Sequence, residues 1–164
     1  MRLAKGKEIT VLSARELSLK FTGQFLTEDT IVILLSMENY DYPVFKEQDN
    51  VLKIEVQDTL MKDSPYAFTA EHGLQVKDFL AKTCFKKLFV CCDSGESRSA
   101  ALAAAIMVYY GNPDMEIWKN PYFHPNLLVY AAQLKAFGIK CTPLKLKFLH
   151  FINNRNFKKA IKGN

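Results

Sequence analysis

The chain has no Cys-x-x-Cys pair. Its four cysteines stand at positions 84, 91, 92 and 141, and its three histidines, His72, His124 and His150, do not cluster with them. The ligand spacings of a zinc site are therefore missing, and no metal is expected. A disulfide framework is not expected either in a chain of 164 residues, so the cysteines read as free thiols of a cytoplasmic protein. No apolar core follows the basic residues of Met1 to Thr10, which argues against a secretory leader. The longest apolar runs fall far short of a membrane span, and there is no internal repeat, linker or low-complexity tract. Acidic residues are missing from the last third: Ile117 to Asn164 hold nine Lys or Arg and no Asp or Glu, in a chain with 22 basic and 17 acidic residues overall. Such asymmetry marks a contact with nucleic acid, an acidic membrane surface or an acidic protein. Because the cations are interspersed with Leu, Phe and Ile, the plainer reading is the solvated face of a basic helix, and nucleic acid is not expected as a partner.

What the chain does have is concentrated in residues 88–105. Leu88 to Cys92 has the length and content of a buried strand. The Ala-rich run from Ser99 has strong helix propensity. Between them lies a short polar loop that opens on Cys92, closes on Arg98 and holds Gly95 in its middle. A strand, a tight loop and a helix N-terminus in succession form an anion site, since the loop N–H groups and the positive end of the helix dipole face one hollow. A field that holds an anion also favours a nucleophilic sulfur. Arg98 can fork onto two oxygens of a phosphate-like group, and Gly95 lets successive N–H groups converge. Cys91, one residue earlier in the strand, points to the opposite sheet face and reads as a structural thiol.

Elsewhere the pattern alternates strands with helices. Strands are expected at Glu8 to Ala14, Thr30 to Ser36 (continuously apolar, hence covered on both faces) and Val51 to Gln57 (alternating, hence nearer an edge). Arg15 to Phe25 is a short helix or an irregular crossover. Thr69 caps a helix running to about Lys82. Further helices are expected from about Ser99 to Tyr110, Pro113 to Trp118 and Leu127 to Phe137. A last amphipathic helix from Pro143 is expected to turn Leu146, Leu149, Phe151 and Ile152 inward. The fold class is α/β, one domain over residues 1–164, with a small central, mostly parallel sheet of about four to five strands flanked by helices on both faces. In such sheets ligands bind beyond the carboxyl ends of the strands, where Cys92 stands.

Cys92-Asp93-Ser94-Gly95-Glu96-Ser97-Arg98-Ser99 resembles the Cys-x5-Arg-Ser signature of the cysteine-dependent protein tyrosine phosphatases, most like the small dual-specificity and bacterial branch. The resemblance implies a metal-independent phosphate monoester hydrolase acting on a phosphoprotein or a small monoester through a cysteinyl-phosphate intermediate, with no cofactor. In it Cys92 is the nucleophile, and the loop Asp93, Ser94, Gly95, Glu96, Ser97 and Arg98 binds the phosphate. The Ser99 hydroxyl assists release of the sulfur, although a helix N-cap is its ordinary role. A general acid is expected some thirty residues earlier on a loop after a strand. Asp58 matches in place and order, Asp63 is the second candidate, and an ordinary turn Asp is the plain alternative for both. Asn126 in Phe123-His124-Pro125-Asn126 is similar to the Asn that buttresses the phosphate loop, or is a plain turn-and-cap Asn.

Two departures qualify the resemblance. Cys91 stands where the family has His. Asp93 and Glu96 make the loop acidic, which disfavours polyanionic substrates and favours a simple monoester such as phosphotyrosine. The alternative function is a catalytically weak phosphate-binding module.

Overall fold

The structure, a computed structural model, describes residues 1, 6–22, 24, 26–46 and 49–162. Four parallel strands make one sheet: β1 (Glu8–Ser13), β2 (Thr30–Leu35), β3 (Val51–Ile54) and β4 (Lys87–Cys92), in the spatial order β1-β4-β2-β3. β4 lies between β1 and β2, in a register that sets Cys92 level with Ser13 on one side and Leu35 on the other. The apolar run of β2 is buried at every residue, as a strand covered on both faces requires.

Six helices complete the described chain: α1 (Ala14–Lys20), α2 (Ala70–Lys82), α3 (Arg98–Tyr109), α4 (Met115–Lys119), α5 (Leu127–Ala136) and α6 (Pro143–Lys162). One sheet face, with Ile9, Ile33, Leu88, Val90 and Cys92, packs on α2, α3 and α5 in the larger core. The other, with Val32, Leu34, Phe89 and Cys91, packs on Ala14 and Leu17 of α1 and on a 3₁₀ turn at Pro43–Phe45. Ala100, Ala101, Ala103, Ala104 and Ala105 of α3 are all fully buried. Side chains this small let the helix lie close on the sheet, so the helix that opens at Arg98 is held firmly over the strand ends.

Several boundaries depart from sequence expectation for identifiable reasons. β1 ends at Ser13 rather than Ala14, because Ser13 is also the N-cap of α1: its hydroxyl accepts the Glu16 N–H at 3.1 Å, and the Glu16 carboxylate takes the Ser13 N–H at 2.7 Å, a reciprocal capping box. Lys20 ends α1, and Phe25, the expected limit of that segment, lies outside the described residues. β3 stops at Ile54 rather than Gln57. Its last rung is the Ser36 N–H to the Ile54 carbonyl at 3.1 Å, after which Gln57 pairs with Tyr66 instead. β3 is an edge strand, as its alternation implied. In α6, Leu149 is buried and Leu146 and Ile152 are half-buried, but Phe151 is 62% exposed, a correction to its expected inward place. At 100° per residue Phe151 sits about 200° around the helix from Leu149. Its expected place facing the core is taken by Asn153, buried and donating to the carbonyls of Trp118 at 3.3 Å and Phe123 at 2.7 Å.

Candidate active site

The loop between β4 and α3 is shaped by Gly95. Its φ of +78° is open to glycine at no steric cost, and a Cβ there would lie 2.5 Å from the Ser13 nitrogen and 2.7 Å from the Leu12 carbonyl carbon. The loop therefore leans on the end of β1, in contact only a hydrogen atom permits. From that position the Gly95 N–H points back to the Cys92 sulfur at 3.3 Å. The Ser99 hydroxyl lies 3.1 Å from the same sulfur. In the Ser99–Cys92 pair either atom can donate, whereas the Gly95 N–H can only donate. Cys91 belongs to the opposite core cluster, and burial pushes its thiol well above the ordinary range, with the neighbouring Cys92 adding to the shift. It stays a thiol.

The helix begins at Arg98, and the N-cap position falls to Ser97, whose side chain makes no capping bond. Ser99 is thus not an N-cap, and its hydroxyl goes to the sulfur. Arg98 is 5% exposed. One terminal nitrogen donates to the Val56 carbonyl at 2.7 Å, and the other pairs with the Asp93 carboxylate. Among the described residues its Nε is buried without a partner, and a buried donor left unpaired is costly. An anion beside it would relieve that cost.

Asp93 has a role the sequence did not reveal. Besides Arg98 it takes hydrogen bonds from the Ser36 hydroxyl and, at 3.1 Å, from the Tyr40 hydroxyl. Burial works to raise its pKa, but the bonds from Ser36 and Arg98, the guanidinium charge and Tyr40 outweigh it and hold the carboxyl below its ordinary value. Tyr40, partly buried and bonded to the carboxylate, is pushed up to about 12 and stays a donor. A carboxyl lowered on folding adds stability above its unfolded pKa and loses it as pH falls through the folded one. Asp93→Asn is accordingly expected to lower Tm at pH 7, and the gap to wild type should close at a pH below the lowered Asp93 pKa, under the ordinary carboxylate range. Thermal melts of both proteins at the two pH values check this. The pairing also revises the like-charge argument: the negative charge of Asp93 is matched by Arg98, leaving Glu96 as the acidic side chain of the loop not held in an ion pair among the described residues.

Asp58 lies four residues beyond β3 rather than directly after it, and it still reaches the loop. Its Oδ1 accepts from the Ser97 hydroxyl at 2.9 Å and from the Asn126 amide at 2.7 Å. Asn126 also donates to the Thr59 carbonyl at 3.1 Å and caps α5 by accepting the N–H groups of Leu128 and Val129. Its own N–H goes to the Ser97 carbonyl at 3.3 Å, and that of His124 to the Glu96 carbonyl at 3.0 Å. One asparagine thus joins the Asp58 loop, the Cys92–Arg98 loop and a helix start. Asp63 is exposed, and no hydrogen bond ties it to the site among the described residues. Ser94 is exposed, its hydroxyl accepting the Glu96 N–H at 3.3 Å. A hollow of about 300 Å³ beside Asp58 is lined by Leu60, Ser97, His124, Asn126 and His150. A larger one of about 910 Å³, along β1 and α1, holds none of these groups.

No protein-family model matches the chain, and no curated protein does. Among solved structures, PTPMT1 in complex with PI(5)P is 16% identical, overlapping 98% of this chain and 97% of that one at a TM-score of 0.38. PTPMT1 alone is 18% identical, overlapping 93% and 92% at 0.35. Overlap this loose leaves the chemistry to be read from the site's own atoms.

Those atoms combine a nucleophile type, a cation and a carboxyl group around one loop. A sulfur that accepts the Gly95 N–H and shares a hydrogen bond with the Ser99 hydroxyl can attack an electrophilic centre. The buried guanidinium and the backbone donors suit an oxyanion that gains charge as it does so. Ser36 and Val56 escaped sequence reasoning because they reach the site from just beyond β2 and β3, and the role of Asp93 escaped it because its bond to Ser36 is long-range. The acidic residue directly after Cys92, close before an arginine, was the one local hint.

Proposed function

We propose that residues 1–164 form a metal-independent phosphate monoester hydrolase of the cysteine-dependent protein phosphatase type, acting on phosphotyrosine or a similar simple monoester. The observation that carries this is the Cys92 sulfur held by the Ser99 hydroxyl at 3.1 Å and the Gly95 N–H at 3.3 Å, at the mouth of a helix that opens on a buried Arg98.

The Cys92 thiolate attacks phosphorus, an S–P bond forms, and the P–O bond to the leaving group breaks. Asp58 gives its proton to the departing oxygen. Both bonds it receives fall on Oδ1, which leaves Oδ2 to carry that proton. The loop N–H groups and Arg98 Nε hold the oxygens that gain charge. In the second step a water gives Asp58 a proton and attacks phosphorus, and the S–P bond breaks. The Ser99 hydroxyl donates to the sulfur as it leaves with the electron pair. Asn126 fixes Asp58 against the loop.

A second reading draws on one observation: both terminal nitrogens of Arg98 are engaged, by Val56 and Asp93. A guanidinium so committed fits a phosphate-binding module with weak turnover. Hydrolysis of aryl phosphates with a chelator present separates the two. Turnover unaffected by the chelator, with phosphate trapped on Cys92 in a rapid quench, supports the enzyme. Saturable binding of inorganic phosphate without turnover supports the module. For the enzyme, Asp58→Asn should cut kcat about 10²–10³-fold for phenyl phosphate and far less for a nitrophenyl ester, whose leaving group needs no proton. Equal losses on both would remove Asp58 as the acid.

A further inference from the structure

α6 carries an outward stripe at the spacing normally reserved for a core. Leu144, Phe148 and Phe151 follow at i, i+4 and i+7, and they are 77%, 57% and 62% exposed. Continued by the same steps, the stripe becomes basic: Arg155, Lys158, Lys159 and Lys162, with Lys147 on its flank. These cations line one shallow surface with Phe151. None of them is paired with a carboxylate among the described residues. The opposite face of α6, with Leu149 and Asn153, is the one that packs on the body. The outward side chains are therefore not needed to hold the helix in place. No helix is long and apolar enough to cross a membrane among the described residues.

We propose that this face of α6 docks on an anionic lipid surface, the helix lying in the interfacial plane. Leu144, Phe148 and Phe151 enter the headgroup–acyl boundary, and the Lys and Arg side chains reach the lipid phosphates. Charge decides among occupants. A second copy of the chain would bring two acid-free basic faces together, which like-charge repulsion opposes. An acidic protein could match the charge, but separated aromatic side chains on one convex helix call for a fitted groove in a protein partner and for none in a bilayer. The exposed Leu60 stands with His150 and Asn154 of α6 around the hollow beside Asp58. Docking would thus bring that hollow close to the lipid headgroups. The inference does not depend on the hydrolase reading, since it concerns a different face of the molecule.

The test is co-sedimentation of the intact chain with vesicles of phosphatidylcholine alone and with about 30% phosphatidylserine. Binding to the anionic vesicles and little to the neutral ones is expected, falling at high salt. Phe148→Ser with Phe151→Ser should reduce anionic binding at least about tenfold. Lys158→Glu with Lys159→Glu and Lys162→Glu should reduce it about 10²-fold. Both sets of positions are exposed, so unchanged melting curves and unchanged aryl phosphate hydrolysis are expected of both variants. No binding to anionic vesicles overturns the proposal. So does binding that ignores the two Phe substitutions, which would be charge adsorption alone, and so does a concentration-dependent dimer abolished by them, which would make a second copy the occupant.

Discussion

Cys92→Ser is expected to reduce hydrolysis of an aryl phosphate on the order of 10⁴-fold or more, the scale of losing a nucleophile that works within a set. Serine keeps the size of the side chain. Its hydroxyl can take over the contacts now made by the sulfur with Ser99 at 3.1 Å and Gly95 at 3.3 Å. Folding should be preserved, and so should the affinity of the loop for inorganic phosphate, since those donors and Arg98 remain. An alcohol is a far weaker nucleophile than a thiolate in the same place, and no general base faces position 92 among the described residues. The expected signature is binding retained with turnover lost. Steady-state kinetics with phosphate titration measures both. Turnover within tenfold of wild type would mean that phosphorus is attacked by something other than Cys92, and the reaction scheme would fall with it.

Arg98→Lys should cost about 10²–10³-fold in kcat, with a smaller change in phosphate affinity. The substitution conserves charge and removes geometry. Arg98 reaches two places at once, the Val56 carbonyl at 2.7 Å and the Asp93 carboxylate, while presenting a third nitrogen that is buried and, among the described residues, unpartnered. A lysine ammonium is a single point on a flexible stem. It can satisfy one of these and leaves the other polar group unpaired. A drop in Tm should therefore accompany the loss of rate, and thermal melts beside the kinetics measure it. Near-wild-type rates in the Arg98→Lys variant would show that a planar fork is not required, and that Arg98 serves mainly to hold Asp93.

How far the sequence could be read depends on the distance over which each feature is made. The buried strands Thr30–Leu35 and Lys87–Cys92 were legible because an unbroken apolar run has few other uses. The strand–loop–helix unit at Cys92 was legible because all its parts are neighbours in the chain. Asp58 is a candidate by position alone, and the two bonds that tie it to Ser97 and Asn126 cross 39 and 68 residues. The Ser36–Asp93 bond spans 57 residues and leaves no local trace, so the carboxylate was read as a source of repulsion when it is the anchor of Arg98. Phe151 was misplaced for a different reason. A helix with apolar residues at 144, 146, 148, 149, 151 and 152 offers two faces of similar hydrophobicity. Only the packed structure shows that the face carrying Asn153 was chosen.

The strand order has a consequence for how the chain is made. β1 has one partner in the sheet, β4, and β2 joins β1 only through it. A growing polypeptide thus carries β1 as an unpaired edge until the segment ending at Cys92 has emerged. Contacts so far apart in sequence form late and slowly. The strand that closes the sheet also bears the sulfur, so both come into being in the same event. A truncated product ending before residue 87 would have β2 and β3 to pair and a stranded β1, the kind of open edge that recruits other chains. Interrupted synthesis should yield aggregates or degradation products rather than a folded, inactive domain.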